Sequence, residues 1–120
     1  MRVFVYGTLR HGESNHSLLR QATLLGLHTL PDGYCLYDLG PYPAAVQAAG
    51  GAQLVGEVYE IDRTILRDLD ELEEYPEVYD RATVTTPYGD AFVYLYQQTV
   101  VGLPLIVGGD WCGRIVRQAV

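Results

Sequence analysis

Residues Asp62 to Tyr75 read DRTILRDLDELEEY, a charged stretch whose apolar residues recur at helical spacing. Laid out at about 100° per residue, Ile65, Leu66, Leu69 and Leu72 fall in one arc, while Thr64, Arg67, Asp68, Asp70, Glu71 and Glu74 fall outside it. This predicts a short helix, capped by Asp62, that lays one face on a core. Glu73 breaks the pattern. It lies inside the apolar arc, one turn beyond Leu69 and two beyond Ile65, so the face that enters the core brings a carboxylate with it. Loss of hydration disfavours the charged form and raises the pKa, the change that suits a Glu to proton transfer near neutral pH. The pattern leaves a second placement open, in which the helix end frays and Glu73 turns to solvent with Glu71 and Glu74. Tyr75-Pro76 breaks the helix, because Pro76 cannot continue it and restricts the residue before it.

On either side of this helix the chain reads as strands. Arg2 to Tyr6, RVFVY, is β-branched and aromatic, as expected of a strand covered on both faces. Gly7-Thr8-Leu9-Arg10 follows. Gly7 permits backbone angles that a side chain forbids, so the turn can aim successive N–H groups at one point; an ordinary strand-ending turn has the same composition. A short helix with Leu18 and Leu19 buried is expected from Ser14 onward, with Ser14 or Asn15 as its cap. Thr23 to Leu30 and Tyr34 to Leu39 read as the second and third strands, joined by a turn at Pro31-Asp32-Gly33. Gly40 to Gly51, GPYPAAVQAAGG, reads as an irregular surface loop whose length suggests the edge of a pocket, although a plain variable loop fits as well.

Leu54 to Ile61 is the fourth expected strand, Tyr79 to Thr86 the fifth and Ala91 to Gln97 the sixth, with a hairpin turn at Pro87 to Asp90. Neither face of the sixth strand is polar, which places it centrally. The tail from Gly102 carries Gly108-Gly109-Asp110-Trp111 and a possible helical turn from Arg114 to Gln118. It reads as a packing tail anchored by Trp111, since no GxxxxGK[ST] motif is present. Six strands and two short helices imply an α+β domain, mostly antiparallel, whose sheet curls on itself.

Composition bounds the function. The 120 residues suffice for one domain, 1–120, with a single core. A hydrophobic fraction of 48% with 19% charged residues describes a folded chain. No apolar run approaches the roughly 20 residues needed to span a bilayer, and no secretory leader is evident, so a cytoplasmic location is expected without a membrane partner. A net charge of −7, with all eight basic residues scattered arginines, argues against a nucleic-acid partner. Cys35 and Cys112 lack CxxC spacing and read as two reduced thiols. His11, His16 and His28 lack metal-ligand spacing, and no cofactor is implied. Ten tyrosines supply apolar walls with polar tips, which suits a small cavity for a polar ligand.

Taken together, Tyr6-Gly7-Thr8-Leu9, Leu69-Asp70-x-x-Glu73 and Tyr79-x-Arg81 closely resemble the γ-glutamylcyclotransferase-like family, and Gly109-Asp110-Trp111 resembles its small bacterial branch. The likeness covers nearly the whole chain. It implies a small mixed barrel with one pocket, between the loop after the first strand and the end of the acidic helix. It further implies an enzyme that cyclises a γ-glutamyl amine to 5-oxoproline and frees the amine. By this resemblance Glu73 is the catalytic acid and base, the backbone N–H groups of Tyr6, Gly7, Thr8 and Leu9 hold the substrate, and Tyr79 stands in the pocket wall. One departure is visible, since the residue after the family Glu is often Gly and here is Glu74. The competing reading on the same residues is a non-catalytic pocket for 5-oxoproline or another small carboxylate. The identity of the leaving amine and the oligomeric state are not legible in the sequence.

Overall fold

The computed structural model describes residues 1–117. One eight-stranded sheet runs in the order β5-β6-β1-β4-β2-β7-β8, with β3 pairing to β2 outside this path, and it curls into a half-barrel. The strands are β1 (Arg2–Val5), β2 (Thr23–Asp38), β3 (Pro43–Gln47), β4 (Ala52–Glu60), β5 (Tyr79–Thr86), β6 (Gly89–Tyr96), β7 (Leu105–Val107) and β8 (Ile115–Arg117). One α-helix, α1 (Arg63–Leu72), and one 3-10 turn at His16–Leu19 complete an α+β fold. β1 and β6 pair in parallel and every other pairing is antiparallel, so the sheet is mixed but mostly antiparallel.

β1 and β6 lie inside the sheet and bury both faces along Val3–Val5 and Ala91–Tyr96, as these apolar runs require. Phe4, Ala91, Val93 and Leu95 enter one core with Leu36, Leu54 and Trp111. Val3, Val5 and Tyr94 enter a second core with Leu19, Tyr59, Ile65 and Leu69. The helix α1 covers this second core with Ile65 and Leu69, the latter fully buried. Each such side chain contributes about 1.5–3 kcal/mol by leaving water. Asp62 caps the helix, its Oδ1 accepting the Ile65 N–H at 2.8 Å.

Four expectations are corrected. Residues 23–38 form one long strand rather than two, because Leu30 and Tyr34 both pair with β4, opposite Leu54 and Ala52. Four residues advance on β2 while two advance on β4, and the surplus at Pro31-Asp32-Gly33 bulges out, with Gly33 at φ 131°. The supposed loop from Gly40 contains β3, in which Ala44 and Ala45 are fully buried and Tyr34 to Asp38 supply the ladder. The turn before it is held by Asp38, whose carboxylate accepts the Gly40 N–H at 2.6 Å. The helix expected from Ser14 is only a 3-10 turn, since Asn15 makes no side-chain cap. The tail adds β7 and β8, so the helical turn expected at Arg114–Gln118 is a strand over Ile115–Arg117, and Gln118 lies outside the described residues. Trp111 is buried as expected, at 2% exposure. No helix among the described residues is long and apolar enough to cross a membrane.

Candidate active site

Glu73 is the C-cap of α1, and its N–H donates to the Leu69 carbonyl at 2.9 Å. The next residue, Glu74, adopts the left-handed conformation at φ 50°. The Tyr75 N–H then reaches the Asp70 carbonyl at 3.0 Å and the Glu74 N–H reaches Glu71 at 3.2 Å. This pair of bonds closes the helix in a Schellman motif. The helix therefore stops four residues before Pro76 and does not fray. Fully buried Leu69 anchors the last turn, so Glu73, one turn on, is drawn inward while Glu74 stays exposed. Desolvation pushes the Glu73 carboxyl up to about 7 from an ordinary 4.5. No hydrogen bond or ion pair holds that carboxyl among the described residues. Glu74 does not contribute to this shift; its departure from Gly bears on backbone conformation at the helix end.

The loop after β1 meets Glu73 across a recess. A cavity of about 120 Å³ is lined by Thr8, Asn15, Tyr42, Leu72, Glu73, Glu74, Val78 and Tyr79. It shares Thr8, Tyr42, Glu73 and Tyr79 with a smaller recess of about 30 Å³, which Tyr6, Gly7, Leu9 and Pro43 complete. Gly7 is needed here for space and not, as the sequence suggested, for its angles. A Cβ at Gly7 would lie 2.6 Å from Pro43 Cγ. The loop carbonyls are spent inward: Gly7 O accepts the Arg10 N–H at 3.0 Å, Thr8 O accepts the Asn15 N–H at 2.8 Å, and Leu9 O lies 2.9 Å from His16 Nδ1. The Asn15 side chain adds a bond to Thr8 Oγ1 at 2.9 Å. Among the described residues, the N–H groups of Gly7, Thr8 and Leu9 donate to no protein acceptor. Backbone donors left unspent beside a recess are open to a ligand's oxygens.

Two of the tyrosines around the recess, Tyr6 and Tyr79, are fixed and neutral. Tyr6 donates its hydroxyl to the Tyr94 carbonyl and Tyr79 donates to the Pro43 carbonyl, both at 2.6 Å. Burial, and secondarily the nearby Glu73, drive both phenol pKa values upward. Neither ionises near neutral pH. Among the described residues, no Lys, Arg or His lines either recess.

A profile of the family described as gamma-glutamyl cyclotransferase, AIG2-like, matches residues 3–113. This chain belongs to the gamma-glutamyl cyclotransferase, AIG2-like family. A Vibrio cholerae relative, provisionally named a gamma-glutamylcyclotransferase, is 50% identical over 113 residues, spanning 94% of this chain and 96% of that one. The gamma-glutamylcyclotransferase family protein YtfP of Escherichia coli K12 is 47% identical over 114 residues, covering 95% and 98%. The solution structure of E. coli YtfP superposes with a TM-score of 0.76 at 46% identity, over 94% of this chain and 97% of that one. A crystal structure of an uncharacterised Pyrococcus horikoshii protein gives 0.80 at 34% identity, over 92% and 89%.

In this member of the cyclotransferase family, the other residues of the recurrent motifs brace the site from outside. Asp70 Oδ1 accepts the Tyr94 hydroxyl at 2.6 Å and lies 3.4 Å from Arg81 Nε. The Arg81 guanidinium stacks 4.2 Å above the Tyr75 ring, so the helix end is tied to β5 and β6. Asn15 and Tyr42 line the recess without having been foreseen. Asn15 had read as a helix cap; Tyr42 was not singled out, although the stretch that carries it, read as irregular, was expected to edge a pocket, and Tyr42 and Pro43 do so. A third unforeseen group is a buried cluster of Arg10, Glu57 and Tyr59. The alternation of Leu54, Gly56 and Val58 on one face, against Val55, Glu57 and Tyr59 on the other, would have exposed it as a carboxylate on a covered strand face.

Proposed function

We propose that this protein is a gamma-glutamylcyclotransferase acting on γ-glutamyl amines. The substrate's α-amino nitrogen attacks its own side-chain amide carbonyl, giving 5-oxoproline and a free amine. The reading is carried by one observation: a desolvated, unbonded Glu73 carboxyl shares a recess with the unspent N–H groups of Gly7, Thr8 and Leu9. As the free-base amine forms the new C–N bond, Glu73 takes one proton from the attacking nitrogen. The oxygen of the tetrahedral intermediate rests on the loop N–H groups, dipoles already oriented before reaction. Glu73 returns the proton to the departing nitrogen as the old C–N bond breaks, so one carboxyl serves both directions of transfer. Because the attacking amine is tethered to the carbonyl it attacks, no covalent enzyme intermediate is needed.

Incubating the purified protein with a panel of γ-glutamyl amines and detecting 5-oxoproline by mass tests the proposal. Catalytic release from at least one member is expected. Binding of 5-oxoproline with no release from any member would contradict it and favour the pocket without turnover. Because the substrate's α-amine must also be deprotonated, kcat/KM already falls on the acid side of that amine's own titration, and the limb should steepen by one further power of proton concentration as pH falls through about 7, where the Glu73 carboxyl titrates in the free protein. A limb that keeps the slope of the amine alone down to pH 5 would separate Glu73 from the chemistry.

Leaving-group preference follows from charge. Glu74 stands exposed on the cavity lining, and among the described residues no cationic side chain is there to meet a carboxylate. A leaving amine that carries a second ammonium should outpace one that carries a carboxylate by about fivefold in kcat/KM, from about 1 kcal/mol of screened attraction. Glu74→Lys, which keeps the charge site and inverts its sign, should reverse the order. An unchanged order would place the leaving group away from Glu74.

A further inference from the structure

We infer that Arg10 and Asp110 are positioning residues, and that the Glu57–Arg10–Asp110 clasp sets the placement of the Gly7–Leu9 N–H groups opposite Glu73. This rests on the cyclotransferase reading for its kinetic consequence, but not for its structural one. Neither Arg10 nor Asp110 lines either recess. Arg10 leaves the loop directly, and its buried guanidinium bridges two carboxylates. Nε donates to Glu57 Oε2 at 2.9 Å and Nη1 donates to Asp110 Oδ1 at 2.6 Å. Glu57 Oε1 also accepts the His11 N–H at 2.9 Å and the Tyr59 hydroxyl at 2.8 Å.

Glu57 thereby holds the loop at both ends. Its backbone pairs with Val5, where the loop begins, and its carboxylate binds Arg10 and His11, where the loop ends. Asp110 fixes the other arm of Arg10 from a rigid base. The Gly109 carbonyl accepts the Val55 N–H at 2.9 Å, and the buried Trp111 donates Nε1 to Glu13 at 2.9 Å. A buried charge cluster contributes little net stability relative to well-packed apolar groups of the same volume, so stability alone gives it no purpose. A fork that reaches two carboxylates in fixed directions does set geometry, which a point charge such as Lys would not.

Asp110→Ala tests this, because the Asp110 side chain is 39% exposed and its loss leaves the Arg10–Glu57 pair intact. Amide hydrogen exchange of Arg10 and Asn15, whose N–H groups bond the Gly7 and Thr8 carbonyls and so report on the loop, followed by 15N NMR without substrate, should accelerate roughly tenfold relative to β6 amides. With a substrate from the panel, kcat should fall roughly tenfold with KM within about twofold, since misplaced oxyanion donors act on the transition state. The pH of the acid limb should stay put. Asp110→Asn, which keeps an acceptor oxygen for Arg10, should restore most of both effects. Unchanged exchange at Arg10 and Asn15, or acceleration spread evenly over the molecule, would overturn the inference. If the wild type releases no 5-oxoproline, the cyclotransferase reading fails, and the clasp is still decided by the exchange at Arg10 and Asn15.

Discussion

Glu73→Gln should leave a folded protein whose 5-oxoproline release is lowered by roughly 10²–10⁴, the usual range for loss of a general acid and base. The amide keeps the shape of the carboxyl and loses the exchangeable proton. Stability should move in the opposite direction. The folded carboxyl titrates near 7 and the unfolded one near 4.5, so folding favours the protonated form. Its favourable contribution is full below the unfolded value and is lost as pH rises through the folded one. Gln has no such loss, so the variant should gain little at pH 5 and about 1–3 kcal/mol at pH 8 relative to wild type. Thermal melts at the two pH values check this. A variant that gains more at pH 5 than at pH 8 would mean that Glu73 is solvated.

Arg10→Ala should be the most destabilising single change outside the apolar core. Arg10 is 8% exposed and Glu57 4%, and burial alone would raise the Glu57 pKa. The His11 N–H, Arg10 and the Tyr59 hydroxyl together outweigh burial and hold that carboxyl below its ordinary range. Removing Arg10 leaves a buried carboxylate without its cation, at a cost of about 3–5 kcal/mol in urea unfolding. Replacing both partners, as Arg10→Met with Glu57→Leu, should recover most of that loss, because the uncompensated charge is gone. The double variant should nonetheless stay impaired in kcat, since nothing then fixes the end of the loop. Recovery of full activity along with stability would show that the pair serves packing alone.

The parts of the fold that were legible rest on local patterns. The period of Ile65, Leu66 and Leu69 marked α1, Asp62 marked its start, and the position of Glu73 within the arc marked the one carboxylate drawn inward. Likewise, alternate apolar faces in Val3–Val5 and Ala91–Tyr96 marked the two interior strands. The rest depended on partners distant in sequence. Pro31-Asp32-Gly33 has the chemistry of a turn, and only the continued pairing of Leu30 and Tyr34 with β4 makes it a bulge. Ala44 and Ala45 carry weak strand propensity and became a strand because β2 lay alongside. Arg10 finds its partners 47 and 100 residues away, a separation that no local pattern reports. Asn15, one of the two residues expected to cap a helix, makes no cap bond; its amide goes to the Thr8 side chain and steadies the loop instead.

The central claim is that burial at the end of α1 retunes a single carboxyl for proton transfer. A 13C-detected NMR titration of the Glu73 side-chain carboxyl in the ligand-free protein, assigned by its disappearance in Glu73→Gln, measures this directly. A midpoint near pH 7 is the expected result. A midpoint in the ordinary range near ~4.3 would contradict the account, because a solvated Glu73 would be too weak a base to take the proton of the attacking amine efficiently at neutral pH.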